Sequence, residues 1–233
     1  MFEDRGFGRL AKPDVRDYAY PMRAVLRPAP LPTNRYYQTG PLLPMDQGGT
    51  GTCVAHAWVA FLCAALMMSK TPPNVYDTYR KIVAIDEWTE NDHEATATDI
   101  SVLQSGTSIR AGAKHFQDAG HLKSYLWTRS ADEAATWLLT GRGTLVMGTN
   151  WYWDMSNPTV AGLVNIGGGL AGGHAYLCIG YNRTTKMFRF LNSWGRAFGQ
   201  QGRFWMRHVD MQRLIEEDGE CCAAVEQLIP PVR

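Results

Sequence analysis

The chain has almost no net charge: 23 basic and 22 acidic side chains leave +1 at pH 7 over 233 residues. No block of like charge occurs, and no basic stretch alternates with aromatics. A nucleic-acid or anionic-membrane partner is therefore not expected. Long apolar runs are also missing. The longest, from Val54 to Met68, contains His56 and falls short of the roughly 20 residues that a membrane span needs. It reads as a buried helix instead. The N-terminus, Met1-Phe2-Glu3-Asp4-Arg5, opens with acids and has no apolar core, so it does not read as a secretory leader. No C-x-x-C or H-x-x-x-H spacing is present, which argues against a zinc site; neither metal nor cofactor is expected. The five cysteines are odd in number, and two are adjacent. They do not suggest a disulfide framework, and a reducing compartment such as the cytoplasm is the expectation. Cys63, Cys178, Cys221 and Cys222 then serve as small apolar core residues. Repeats and low-complexity segments are absent. Nothing in the chain speaks to oligomeric state.

What is present is unevenly distributed. Seven of the twelve prolines precede Gln47. That density disfavours helix and sheet interiors, so residues 1–46 read as an extended arm lying over the body. Helical signals follow. A helix capped by Thr52 is expected from Cys53 to about Ser69, apolar nearly all round and so central. Pro72-Pro73 separates it from a second, Val75 to Trp88. A polar loop, Thr89 to Thr98, comes next. A third helix, Ser108 to Ala119, closes at Gly120. Ser130-Ala131-Asp132-Glu133 is a capping box for a fourth helix, ending at Gly141.

Beyond this point the character changes. Residues 144–149, 174–181, 187–191, 203–207 and 222–228 read as strands, with a turn at Asn182 to Lys186 and a short helix at 210–217. The fold class is α+β. Residues 47–125 form a helical lobe and residues 126–233 a strand-rich lobe, with a cleft between them as the natural place for a site.

Three short strings carry chemistry. The first is Gln47-Gly48-Gly49-Thr50-Gly51-Thr52-Cys53. Cys53 opens the buried helix, where unpaired N–H groups and the helix dipole favour a thiolate, the nucleophilic form. The second, Gly172-Gly173-His174-Ala175, puts a histidine at a strand. From there it can take the thiol proton and return it to a leaving amine. In the third, Asn192-Ser193-Trp194-Gly195, an amide oxygen can fix the imidazole tautomer and Trp194 can shield that bond. Gln47 can donate its side-chain N–H to a developing oxyanion beside the Cys53 amide. Singly, each has a bland reading: a core cysteine, a loop histidine, a turn, a polar loop residue. Together and in this order they point to nucleophilic acyl transfer. His56 lies on the Cys53 helix three residues on; it, His93, His115, His121 and His208 lack the glycine-rich context of His174.

The three strings resemble the active-site motifs of papain-like cysteine peptidases. His174 and Asn192 follow Cys53 by 121 and 139 residues. The family interval is about 130–150, so the histidine arrives early and a loop is shortened. Phe198-Gly199-Gln200-Gln201-Gly202-Arg203-Phe204 resembles the stretch after the family's asparagine. Lys12-Pro13-Asp14-Val15-Arg16-Asp17-Tyr18 resembles an arm of bacterial members. The resemblance spans residues 12–228. It implies a two-lobe papain-like fold, a helical lobe followed by an antiparallel β-barrel-like lobe. It also implies Cys53 as nucleophile, His174 as acid and base, Asn192 as orienter and Gln47 as oxyanion donor. Ser105-Gly106 stands where the family runs a glycine-rich edge past bound peptide, and Gly173 and Trp194 complete the expected substrate contacts.

Two departures stand out. Thr50 occupies a position that is a disulfide cysteine in plant and lysosomal enzymes, and Val54 replaces the usual aromatic. The 46 residues before Gln47 are too few for those enzymes' inhibitory prodomain, so activation by prodomain removal is not expected. The expected function is peptide-bond hydrolysis through a Cys53 thiolate/His174 imidazolium pair and an acyl-enzyme, with a peptide or protein as substrate. Two alternatives remain open on the same motifs. One is another acyl transfer, such as peptidoglycan amide cleavage or peptide ligation. The other is a non-catalytic structural or binding protein.

Overall fold

The computed structural model describes residues 4–12, 14–65, 67–87 and 103–226. The expected polar loop Thr89–Thr98 lies outside them, as do Trp88 and the end of the last expected strand.

The described residues hold five α-helices and seven strands, in the order β1 (Asn34–Tyr36), α1 (Cys53–Leu62), α2 (Val75–Ile85), α3 (Ile109–Asp118), β2 (Leu122–Thr128), α4 (Ala131–Leu139), β3 (Leu145–Tyr152), β4 (Leu170–Asn182), β5 (Met187–Leu191), β6 (Arg203–Arg207), α5 (His208–Glu216) and β7 (Glu220–Glu226). The strands form one antiparallel sheet in the order β2-β7-β3-β4-β5-β6. β4 is its long member. β3 pairs along the first part of β4, and β5 and β1 flank its end. The sheet is open, so the barrel-like expectation is corrected. Its outer strands protect their edges differently. β2 makes a parallel bridge to Pro21 of the arm, and β6 makes one to Leu163. Either contact covers an edge without closing a ring.

The alternation along β4 explains where the lobes meet. Ala175, Leu177 and Ile179 face the core under α1, α2 and α3. Tyr176 and Cys178 face a second core, with α4, α5, Phe188, Phe190 and Phe204. From His174 to Tyr181 the strand is buried on both faces, and there its sequence is a nearly unbroken apolar run. Each fully buried large side chain contributes roughly 1.5–3 kcal/mol.

Local chemistry sets the helix ends. Asn74 Oδ1 accepts from the Tyr76 and Asp77 amides and starts α2. Ser108 Oγ accepts from the Ala111 amide to start α3. At α4 only half of the capping box forms. Ser130 Oγ accepts from the Glu133 amide, while the Glu133 carboxylate turns to Thr128 Oγ1, 2.6 Å away. α1 ends at Leu62, earlier than Ser69. Beyond it Ala65 and Met68 take left-handed backbone, and the Ala65 amide donates to the Gln38 carbonyl of the arm. A competing tertiary hydrogen bond ends this helix.

α1 and α3 touch through one glycine. A Cβ at Gly112 would collide with the Trp58 ring, whose Nε1 donates to the Ile109 carbonyl at 3.2 Å. Helix propensity favours Gly112→Ala by roughly 1 kcal/mol. Overpacking opposes it and wins: we expect a net loss of about 1–3 kcal/mol in urea denaturation.

Candidate active site

α1 begins at Cys53, and every residue of the helix is buried. Its start is locked by a small polar network. Thr50 Oγ1 lies 2.7 Å from Thr52 Oγ1, and His56 Nδ1 lies 3.0 Å from the Thr52 carbonyl. Because a carbonyl only accepts, His56 Nδ1 carries a proton and donates it. His56 thus secures the helix start. The Cys53 sulfur instead meets the backbone amides of Ala175 and Gly8.

His174 sits on β4 opposite Thr149 of β3 and is fully buried. Its Nε2 is 2.8 Å from Asn192 Oδ1, which also accepts from the Ser193 amide at 2.8 Å. The backbone N–H fixes the amide oxygen as acceptor. Nε2 therefore donates, and Nδ1 is left with its lone pair. Nδ1 is buried without a hydrogen-bond partner, as a base awaiting a proton would be. Trp194 and Trp151 pack on the imidazole with centroids at 4.8 and 4.9 Å. They keep water from the Nε2–Oδ1 bond.

Gln47 is held from both sides. Its Oε1 accepts from Ser193 Oγ at 2.6 Å, and its backbone amide donates to the Ser193 carbonyl. Its Nε2 donates to the Thr50 carbonyl at 2.7 Å and to the Gly6 carbonyl at 3.0 Å. The structure thus brings Gln47, Cys53, His174 and Asn192 into one locus between the helices and the sheet.

The arm occupies that locus. Gly6, Phe7, Gly8 and Arg9 run along the cleft as an extended segment. The Thr107 amide donates to the Gly8 carbonyl at 2.8 Å, and the Leu10 amide donates to the Thr107 carbonyl at 2.9 Å. This is a parallel pairing of Arg9 with Thr107. On the other side the Arg9 amide donates to the Gly173 carbonyl at 3.0 Å. Glycine is required at two of these positions. A Cβ on Gly6 would strike the Thr50 carbonyl, and one on Gly8 would strike the Gly51 carbonyl. Phe7 turns the other way, onto Trp194, Trp153 and His174, with centroids 5.9 to 6.2 Å away. Arg9 reaches into the protein and pairs with Glu220 of β7 at 2.9 Å.

The expected peptide contacts separate into two groups. Gly106, Gly173 and Trp194 line the occupied cleft. The Ser105 hydroxyl instead lies 3.2 Å from Tyr79 OH. The backbone pairing falls on Thr107, one residue beyond the expected Ser105-Gly106. Sequence reasoning did not single out Thr107, Ser193, Phe7, Arg9 or Glu220. The one signal available was the alternation Gly6-Phe7-Gly8-Arg9, in which small residues recur at a strand period. Seven residues suffice to fill the cleft, from Asp4, whose carbonyl faces Gly49, to Leu10.

Burial under the arm dominates the electrostatics. It pushes the Cys53 thiol up to about 11, although the Ala175 and Gly8 amides and Arg9 pull the other way. It brings His174 down to about 4 despite the hydrogen bond to Asn192. In the covered state the pair is a neutral thiol and a neutral imidazole. Desolvation under the arm thus opposes the ion pair that the helix terminus favours.

No protein-family model matches the chain, and no curated protein matches it in sequence. Solved structures do. Xylellain, a cysteine protease from Xylella fastidiosa, superposes with a TM-score of 0.69 at 20% identity, over 97% of both chains. Procathepsin B S9 from Trypanosoma congolense gives 0.66 at 11% identity, over 96% of this chain and 87% of that one. Bromelain from Ananas comosus, in complex with the E64 inhibitor, gives 0.59 at 12% identity, over 84% and 100%. The chain has the papain-like two-lobe fold of these cysteine proteases.

Two outcomes check the electrostatics. His56, like His174, is brought down to about 4 by burial. A base whose pKa is lowered on folding contributes stability above its ordinary value of 6.5, and loses it as pH falls through about 4. Glu220, pushed up to about 7 by burial, acts with the opposite sign and gains as pH falls from 7 towards 4.5. Two histidines outweigh one carboxyl, so the melting temperature should fall between pH 6.5 and 4. The second outcome concerns Cys53 itself. Iodoacetamide should label it slowly at pH 7 in the wild type. Gly8→Val, which cannot seat against Gly51, should raise that rate by about tenfold for each unit by which the thiol pKa drops.

Proposed function

We propose that the protein is a thiol peptidase whose cleft is closed by its own N-terminal arm. The observation that carries this reading is the His174 Nε2–Asn192 Oδ1 bond at 2.8 Å. It leaves the Nδ1 lone pair free in a papain-like cleft that also holds Cys53. Once the arm lifts, water and substrate enter and the desolvation of Cys53 and His174 falls. Cys53 then transfers its proton to His174, and the thiolate attacks a peptide carbonyl. Gln47 Nε2, released from Gly6, and the Cys53 amide donate to the oxyanion. His174 protonates the departing amine, leaving an acyl-enzyme. It then draws a proton from water, which attacks the thioester and restores Cys53.

Substrates are peptides or proteins, because the cleft already binds an extended backbone on both sides through Thr107 and Gly173. The same backbone pairing favours hydrolysis of peptides over a purely structural role. Five free cysteines suit work in a reducing compartment.

The test uses the full chain and a fluorescently labelled protein such as casein. Gly8→Val should cleave it faster than wild type. Adding Cys53→Ala or His174→Ala should abolish cleavage, a loss of at least about 10³-fold. Cleavage that survives Cys53→Ala would overturn the assignment.

A further inference from the structure

Asn192 holds His174 with only half of its side chain. Its Oδ1 accepts from His174 Nε2 and from the Ser193 amide. Its Nδ2 carries two N–H groups, yet it is buried and has no hydrogen-bond partner in the protein. A buried amide nitrogen left unpaired is costly, and such groups in folded proteins are usually satisfied by ordered water. Asn192 lines a cavity of about 10 Å³ between α1 and the β4–β5 pair. That is room for one water molecule. The other polar side chains at the cavity are Ser193, His56 and Tyr176, and the Tyr176 hydroxyl is already bonded to Thr149 at 2.8 Å.

His56 has no evident reason to be a histidine. It lies in α1, among residues that are otherwise apolar. Its Nδ1 donates to the Thr52 carbonyl, but that carbonyl also accepts from the His56 backbone amide at 3.1 Å. The ring is therefore not needed to satisfy Thr52. What the bond does is fix the tautomer: with the proton on Nδ1, Nε2 is an acceptor. Burial keeps the ring neutral at pH 7, with its pKa brought down to about 4. The ring is also close enough to His174 for charge on one to oppose charge on the other.

We propose that His56 is a positioning residue: it holds one buried water in this cavity, and through that water it fixes the Asn192 amide that orients His174. The water accepts from Asn192 Nδ2 and donates to His56 Nε2. Its second proton goes to Ser193 Oγ, which gives its own proton to Gln47 Oε1 at 2.6 Å. Every donor meets an acceptor, and three bonds are the usual complement of a buried water. One molecule thus ties the Asn192 side of the locus to the Gln47 side. These bonds stand apart from the peptidase reading; their effect on rate rests on it.

The first test is a high-resolution crystal structure of the full wild-type chain. A single water should bridge Asn192 Nδ2 and His56 Nε2. A dry cavity, or a water that misses His56, overturns the inference. The second test follows the His174 Nε2 proton by NMR in the ¹⁵N-labelled full chain, its resonance identified by its loss in Asn192→Ala. His56→Phe keeps a ring but no acceptor, and should speed solvent exchange of that proton by about tenfold or more. His56→Gln, whose amide oxygen restores an acceptor, should stay within about threefold of wild type. Unchanged exchange in His56→Phe, or equal acceleration in both variants, overturns the inference. Should His56→Phe not fold, Ala57→Val takes its part. It puts methyl groups into the cavity, leaves every hydrogen-bonding side chain in place, and should give the same acceleration.

The third readout is turnover in the Gly8→Val background. His56→Phe should lower kcat by about tenfold and leave KM within about twofold, because the water does not touch the substrate. A raised KM with unchanged kcat overturns the inference. The bridging water and the exchange pattern, found in a chain that cuts no peptide even as Gly8→Val, uphold it and overturn the peptidase reading instead.

Discussion

The site depends on the packing of α1 against β4. That contact buries the whole helix and carries Cys53 to the Ala175 amide, one residue from His174. Everything else in the locus is arranged around it. Asn192, at the end of β5, fixes the imidazole; Ser193 holds Gln47; and Trp151 and Trp194 seal the edge. The helical lobe supplies Cys53 and the sheet supplies His174, so neither lobe alone holds the locus. The double-faced burial of β4 makes this rigid, because a one-residue slip would turn His174 away and expose Ala175 and Leu177 to the wrong core.

Against that rigid frame the arm acts by removing water. A thiolate and an imidazolium are favoured where solvent and the helix terminus can stabilise them. Beneath Gly8 and Phe7 there is no such solvent, and both groups revert to their neutral forms. The arm thus does two things with one segment: it fills the cleft, and it favours the neutral forms of the thiol and the imidazole beneath it. The glycines make the approach possible and Phe7 gives it area. Arg9 adds a charge pair whose loss would leave Glu220 buried alone.

Much of this was legible in the sequence, for identifiable reasons. β5 and β6 fall on their expected residues because Met187–Leu191 and Arg203–Arg207 alternate cleanly. The four polar residues of the locus were found by their order and their glycine-rich surroundings. β2 was missed because its burial does not alternate: a bulge at Lys123 breaks the register between Leu122 and Ser124. The end of α1 was overrun because an apolar run carries no stop signal, and the stop is a tertiary hydrogen bond from Ala65 to Gln38. The closure of the cleft was invisible for a deeper reason. Counting residues 1–46 measures length, whereas occupancy depends on shape. Only when Thr50 and Gly51 are placed in space do Gly6 and Gly8 acquire a purpose.

The arm is also a tethered ligand. Joined to the body through the same chain, and tied to the sheet again where β1 pairs with β4, its cleft-binding segment is presented at an effective concentration of order millimolar. A free peptide competes against that local concentration and not against an empty site. A weakly binding peptide at micromolar levels is therefore turned away even if its contacts match those of the arm. Exposure of this cleft responds to anything that lengthens, pulls or cuts the tether near residues 11–33, since each lowers the local concentration without touching a single residue of the site.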